Sequence, residues 1–491
     1  MVYNKRFFLL ASVAFVLFYL SEPPSGYVLL IPIAFLIVFY ILEKAKMPYI
    51  WLFSAALLKS LISASWLIKV SVISWIGVSI YLAFWWGAFG ISALFFTRKH
   101  IPPWIYAPPL WMVLEYIRSF GSLAYPWMLL GYSLDSFPLY RQMADTVGVY
   151  GLSFYLVLIS ALVYSSIKQR SFRLGIMLIP LVIIPPFYGA YRIQLPIKGE
   201  KINVAVLQGN LNSRVRWDLH YAYKSFKRYR ELLNVAVQKK TVNWVILPET
   251  AVPYYILDKD YFDWLSLFTN LAKYSKQTYL FGLATQVGDM HYNSVAYIEE
   301  KGVVQGIYSK RRLVPFGEFV PFEKNFPFLR RFVPHQALFN KGKTCLLLKP
   351  DKVPIASFIC YEIIFSDLVR DDVNKGAAVI VNFTNDIWFG KSVAPFQHAV
   401  MAKFRAIENG RYLIRSANSG ISFIIDPYGN VQTKTKLFEK TVMYGDFFPI
   451  YQRTIYSSIG TYIFPCGIVL LFFATLFSLG SSWFSIGKFR R

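Results

Sequence analysis

The chain has 491 residues, of which 55% are apolar, 18% aromatic and only 16% charged, and its formal net charge is +25. So low a charged fraction excludes an ordinary soluble domain, where about a quarter of residues are charged, and it turns the positive charge from a nucleic-acid footprint into attraction to anionic lipid and basic cytoplasmic loops. The three cysteines, Cys345, Cys360 and Cys466, are odd in number, far apart and without a CxxC pair, which excludes a disulfide framework and a structural zinc site.

In chain order, apolar runs at about 7–21, 26–42, 50–69, 72–96, 103–117, 146–166 and 174–190 predict seven membrane-spanning helices, and a run at about 461–484 predicts an eighth. The first run starts with Lys5 and Arg6, but "SEPPSG" after it is a poor cleavage site and more spans follow, so it reads as a span. The basic clusters "NKR", "EKAK", "RKH" and "KQRSFR" fall on alternate loops. The positive-inside rule then places both termini in the cytoplasm and the large intervening domain outside. The implied division is 1–193, 194–454 and 455–491. Residues 118–142 are apolar but short, and read as a surface-lying or re-entrant segment. Lys69 and Arg118 read as snorkelling at the interface. Lys59 and Glu115 stand between snorkelling and a function at depth.

Residues 200–448 change character, with charges, turns and short apolar runs. "INVAVLQGN", "VNWVILPET", "YLFGLAT", "NSVAYIE", "VVQGIYSK", "TCLLLK", "VPIASFIC", "AAVIVNFTN", "RYLIRSAN" and "ISFIIDP" predict strands, and 221–240, 362–374 and 394–410 predict helices. Strands with covering helices suit an α/β sandwich. Three chemically distinct groups close strands: Glu249 after "VILP", Lys310 after "QGIYS" and Cys360 after "IASFI". Strand ends in α/β layers commonly meet in a cleft. A thiol at its free pKa is mostly protonated and needs activation. Glu249 can take its proton, and Lys310 can favour the thiolate and then stabilise an oxyanion. A cysteine closing an apolar strand is more often core, however, and a glutamate after proline more often a surface turn, so these positions alone leave packing and chemistry both open.

"LPET" around Glu249, "SKRRLVPFGEFVP" around Lys310 and "ICYEIIF" around Cys360 resemble the nitrilase superfamily, whose members use a Glu–Lys–Cys triad in an αββα sandwich. With seven spans before and one after, essentially the whole chain resembles the membrane-embedded apolipoprotein N-acyltransferase family. The resemblance implies an α-helical multi-span membrane domain plus an α/β nitrilase-like αββα sandwich. It implies Glu249 as general base, Lys310 as oxyanion-stabilising lysine and Cys360 as nucleophile. Glu318 in "PFGEFVP" matches a glutamate supporting the lysine, Tyr361 and Glu362 match the pair after the cysteine, Trp217 matches a loop tryptophan, and Asn293 in "HYNS" matches a further family pattern. The implied chemistry is ping-pong acyl transfer without metal or cofactor. An acyl chain, from the sn-1 position of a phospholipid such as phosphatidylethanolamine, passes through a Cys360 thioester to the amine of a diacylglyceryl-cysteine apolipoprotein.

The partners expected on this basis are those two lipid substrates and the bilayer, with no nucleic acid and a monomeric enzyme. The expected location is the bacterial inner membrane, with the catalytic domain periplasmic. Residues 314–333 hold six phenylalanines beside Arg330 and Arg331, which suits an arm at the lipid interface, with Phe316, Phe319 and Phe326 as its contacts. "NDIWFGKSVAPF" reads as a second such loop anchored by Trp388 and Phe389. The rival readings are a membrane-tethered amidase of a small amide, which keeps the triad but leaves eight spans unexplained, and a transporter or structural protein, which leaves the triad idle.

Overall fold

In the computed structural model, which describes residues 2–212, 219–253, 262–332, 338–343 and 346–487, the apolar runs of the N-terminal region are helical. They are α1 (Val2–Ser21), α2 (Leu30–Lys44), α3 (Pro48–Ser63), α4 (Val72–Arg98), α5 (Pro103–Ile117), α6 (Ala144–Gln169) and α7 (Phe172–Arg192). A C-terminal helix spans Ile463–Gly487. Pro48 and Pro103 sit in the first turns of α3 and α5, where a missing N–H costs nothing. The Ser71 side chain accepts from the Ser74 N–H and caps α4. Among the described residues, four helical stretches are long and apolar enough to cross a membrane: Val72–Arg98, Tyr140–Gln169, Phe172–Arg192 and Ile455–Leu479.

Of the other runs, α2 and α3 are shorter than expected, while α5 coincides with the run predicted at 103–117. α2, α3 and α5 have 15, 16 and 15 residues, each a rise of about 22–24 Å. The run predicted at 50–69 breaks, because α3 ends at Ser63 and Ser65–Lys69 winds as a tighter 3-10 turn. The closely spaced serines there favour turns over helix interior.

Residues 118–142 form no spanning helix, with 120–123 exposed and much of the remainder buried. They form 3-10 turns at Leu130–Ser136 and Tyr140–Met143, with Gly131–Leu134 buried. Glu115 explains this, since its carboxylate accepts the Leu130 N–H at 2.8 Å, while Ser153 Oγ accepts the Gly131 N–H at 2.9 Å. Arg118 is buried and donates to the Trp127 carbonyl at 3.4 Å, so it does not snorkel. Lys59 pairs with Glu22, and Lys69 is exposed.

The chain divides into two compact units, Met1–Gln194 with Ser458–Arg491, and Leu195–Ser457. The second is built on β1 (Ile202–Gln208), β2 (Trp244–Ile246), β3 (Thr278–Val287), β4 (Met290–Ile298), β5 (Val304–Ser309), β6 (Ile355–Ile359), β7 (Val379–Thr384), β8 (Leu413–Ala417), β9 (Phe423–Ile425), β10 (Val431–Lys434) and β11 (Thr441–Phe447). One sheet has the order β11-β1-β2-β3-β4-β5 and the other β10-β9-β8-β7-β6. β1, β2 and β3 run parallel, as do β6, β7 and β8. Parallel neighbours need crossovers, supplied by α8 (Leu219–Val237), α9 (Phe262–Ser275), α10 (Ser366–Asn374) and α11 (Ala394–Asn409). The β3–β4 hairpin closes through Gly288 and Asp289, with Gly288 at φ 58°, as a two-residue turn requires. Predicted "TCLLLK" is not a strand among the described residues, where Leu348 alone bridges Ile355.

Alternation along β1 sets the layers. Val204 and Val206 face the core between the sheets, beside Ile246, Val295, Ile359 and Val381. Ala205 and Leu207 face outward, against Tyr229 and Leu233 of α8 and Phe268 of α9. With α10 and α11 packed on the second sheet, the unit is an αββα sandwich.

Gly282 of β3 lets the segment after β2 pass close by. A Cβ there would lie 2.6 Å from the Pro248 carbonyl oxygen and 2.7 Å from Glu249 Cα. Gly282→Ala is therefore expected to destabilise the protein by about 1–3 kcal/mol through overpacking. Thermal unfolding of the full chain in detergent measures this, and an unchanged midpoint contradicts it.

Candidate active site

The structure brings the three strand-end groups together from both sheets. Glu249 follows β2 by two residues, Lys310 directly follows β5, and Cys360 directly follows β6. Asn293 of β4 joins them. Its carbonyl accepts the Lys310 backbone N–H at 2.8 Å. Its side-chain amide donates to Glu249 Oε1 at 2.7 Å and reaches Glu318 Oε1 at 3.4 Å. Lys310 Nζ lies 2.9 Å from each Glu318 oxygen and 3.9 Å from Glu249 Oε1. The Val314 N–H donates to Glu318 Oε2 at 3.0 Å, and the Asn385 N–H to Glu249 Oε2 at 2.8 Å. Glu249, Lys310, Glu318 and Asn293 are all buried.

Two carboxylates thus share one ammonium. Burial pulls the Lys310 pKa down, but Glu318, then Glu249 and Cys360, outweigh it and hold the ammonium above its ordinary value. Cys360 is partly buried against the core between the sheets. Burial pushes its thiol up first and Glu249 pushes it further, while Lys310 opposes, and the thiol is pushed up to about 12. The expectation that Lys310 favours the thiolate therefore holds in sign but not in outcome. At rest the site holds a neutral thiol beside a carboxylate.

Cys360 has φ 53°, a left-handed conformation that costs a non-glycine residue about 1–2 kcal/mol. Glu362 pins the turn around it. Glu362 Oε2 accepts the Ile359 N–H at 2.8 Å and the Tyr308 hydroxyl at 2.9 Å, and Oε1 accepts the Arg311 and Arg312 N–H groups at 2.6 and 3.0 Å. One carboxylate therefore ties the segment after Lys310 to the strand end before Cys360. Arg311 forks onto Asp372 at 3.0 and 2.5 Å. The Tyr361 ring packs edge-on against Phe365, with centroids 5.1 Å apart.

The remaining expected residues divide. Trp217 lies outside the described residues. Phe326 is exposed, whereas Phe316 and Phe319 are half-buried, and the Phe316 N–H donates to the Phe319 carbonyl at 2.9 Å. Phe322 and Phe328 carry the exposed apolar surface instead. Trp388 and Phe389 are half-buried, and the Phe389 ring stands edge-on to His398 at 5.8 Å. Reading by strand ends missed Asn385, whose contact is a backbone amide, and the buried Asp386, His398 and Arg415. The "NFTND" run at the end of β7 was the available signal for the first two of these positions. No group of three or more His, Cys, Asp or Glu side chains among the described residues is arranged to hold a metal ion.

Residues 203–449 match the carbon-nitrogen hydrolase family, and residues 14–162 match the apolipoprotein N-acyltransferase N-terminal domain. Similar proteins include the apolipoprotein N-acyltransferase of Geobacter metallireducens, 34% identical over 78% of this chain and 75% of that protein. The apolipoprotein N-acyltransferase of Photobacterium profundum is 30% identical over 84% of this chain and 80% of that protein. Among solved structures, a carbon-nitrogen hydrolase from Helicobacter pylori aligns with a TM-score of 0.39 at 17% identity, over 50% of this chain and 89% of that chain.

The electrostatics predict the effect of one substitution on the thiol. Glu249→Gln removes a negative charge that raises the Cys360 pKa. Alkylation of Cys360 by iodoacetamide at fixed mildly alkaline pH is expected to speed up, by roughly tenfold for each unit the pKa falls. Peptide mass spectrometry reads the rate, and slower alkylation in the variant would contradict the charge assignment.

Proposed function

This chain belongs to the apolipoprotein N-acyltransferase family, and from that premise we propose that it is a membrane acyltransferase that moves a fatty acyl chain from a phospholipid to the N-terminal amine of a diacylglyceryl-cysteine apolipoprotein. The observation that carries the chemistry is the buried meeting of Glu249, Lys310 and Glu318 at the end of β6, where Cys360 sits in a left-handed turn.

Glu249 takes the proton from Cys360 Sγ as the sulfur attacks the ester carbonyl carbon, so that no free thiolate accumulates. The carbonyl electron pair moves onto oxygen, and the Lys310 ammonium, with the Tyr361 N–H, stabilises that oxyanion. Collapse breaks the ester C–O bond. The proton on Glu249 passes to the leaving alkoxide, releasing lysophospholipid and leaving a Cys360 thioester. The acceptor amine then attacks the thioester carbonyl and yields its proton to Glu249. The C–S bond breaks, an amide remains, and the sulfur recovers the proton. Glu318 holds Lys310 charged and in place throughout, and Asn293 keeps Glu249 and Glu318 at fixed separation.

The same reading gives a monomer in the bacterial inner membrane, with residues 194–454 periplasmic and both termini cytoplasmic, as the basic loops require. Phe322, Phe326 and Phe328, exposed beside Arg330 and Arg331, suit contact with lipid.

Intact-protein mass spectrometry after incubation with phosphatidylethanolamine and no acceptor tests the proposal. A mass increase of one acyl chain is expected, labile to hydroxylamine, absent in Cys360→Ala, and discharged by a diacylglyceryl peptide. Lys310→Met is expected to slow its formation by roughly 10²–10³-fold in folded protein. Folded enzyme that forms no adduct but hydrolyses small amides would replace this reading with an amidase.

A further inference from the structure

A second polar cluster adjoins Cys360 at the end of β7, next to Asn385, whose N–H bonds Glu249. It joins Asn382 and Thr384 of β7, Asp386 just beyond, His398 of α11 and Arg415 of β8, and every member is buried. His398 Nε2 lies 3.3 Å from the Cys360 carbonyl oxygen. His398 Nδ1 lies 2.9 Å from Arg415 Nη2 and 3.2 Å from Asp386 Oδ1. Asp386 Oδ1 accepts from Thr384 Oγ1 at 2.8 Å, and Oδ2 accepts from Arg415 Nη2 at 2.7 Å. Arg415 also donates to Asn382 Oδ1, which leaves the Asn382 amide nitrogen to face the Phe358 and Cys360 carbonyls at 3.1 and 3.5 Å.

The nearest contacts and the surrounding charge favour one protonation state. A carbonyl only accepts, so Nε2 carries a hydrogen. Nδ1 faces both the Asp386 carboxylate and the Arg415 guanidinium, and the guanidinium, which only donates, is the nearer at 2.9 Å, so Nδ1 is assigned as the acceptor. The imidazole is therefore neutral, and burial, followed by the Arg415 charge, holds its pKa below the ordinary value. Arg415 and Asp386 cancel each other's charge and orient the ring.

We propose that His398 is a positioning residue for the nucleophile: its Nε2–H clamps the Cys360 carbonyl, fixes the left-handed turn, and so aims the following N–H, that of Tyr361, at the oxyanion. The last link follows from peptide geometry. The Cys360–Tyr361 bond is trans, since among the described residues the cis bond is Pro23–Pro24. In a trans peptide the C=O and N–H point in opposite directions, so holding one sets the other. The proposal rests on the acyl-enzyme reading only in requiring that an oxyanion form at Cys360.

The test compares two reactions of Cys360 in the full-length enzyme. Acylation by p-nitrophenyl butyrate passes through an oxyanion, whereas alkylation by iodoacetamide does not. His398→Leu is expected to slow acylation roughly 10- to 100-fold, less than deleting an oxyanion donor outright, with alkylation changed by under about twofold. His398→Gln offers an amide N–H near the Nε2 position and is expected to restore acylation to within a few-fold. Unchanged acylation in His398→Leu overturns the proposal, as does an equal loss of both reactions that His398→Gln does not repair. Wild-type enzyme acylated by the nitrophenyl ester but not by phosphatidylethanolamine would defeat the proposed donor while leaving the clamp measurable. Wild-type enzyme alkylated but acylated by neither would overturn both.

Discussion

Two buried carboxylates sharing one lysine is the constraint on which the catalytic unit turns. Glu249 and Glu318 are both shielded from water, and Lys310 is the ammonium between them. A buried charge left unpaired is costly, so the strands that deliver these groups must keep register. Asn293 enforces that register by bonding Lys310 through its backbone and both carboxylates through its amide. The cluster carries one surplus negative charge. That surplus, with burial, explains why the neighbouring thiol stays protonated despite a lysine nearby. In the proposed mechanism the surplus is useful, because a carboxylate that raises the thiol pKa is also the group that accepts its proton.

Two further networks meet at the turn that carries the sulfur. Glu362 gathers donors from the ends of β5 and β6, and His398 and Asn382, both bonded to Arg415, face the Cys360 carbonyl. A non-glycine residue in a left-handed conformation persists only where its surroundings over-determine it. Here the over-determination comes from β5, β7, β8 and α11 together, so the strained residue is a property of the whole sandwich.

Much of this was legible in the sequence because the relevant signals are local. Glu249, Lys310 and Cys360 each close an apolar run, Glu318 and Glu362 fall within the motifs that suggested the family, and Asn293 lies in a further matching pattern. The Asp386–His398–Arg415 cluster was not legible, because its members lie on separate elements that meet only when β7, β8 and α11 pack. The partner of residues 118–142 was equally hidden. Their apolar character is local, but the Glu115 carboxylate that accepts the Leu130 N–H lies 15 positions away. Phe316 and Phe319 were expected at the lipid interface by composition; they are half-buried, and Phe322, Phe326 and Phe328 carry the exposed aromatic surface.

The protonation state of Cys360 at rest tests this account most directly. Replacing Cys345 and Cys466 with serine leaves a single cysteine, whose isotope-labelled β-carbon can be followed by NMR across a pH titration of the folded protein. The account predicts a thiol that shows no ionisation up to about pH 10, well above the ordinary cysteine pKa of about 8.5. Ionisation near neutral pH would mean that Lys310 outweighs burial and Glu249, and that the enzyme attacks with a preformed thiolate.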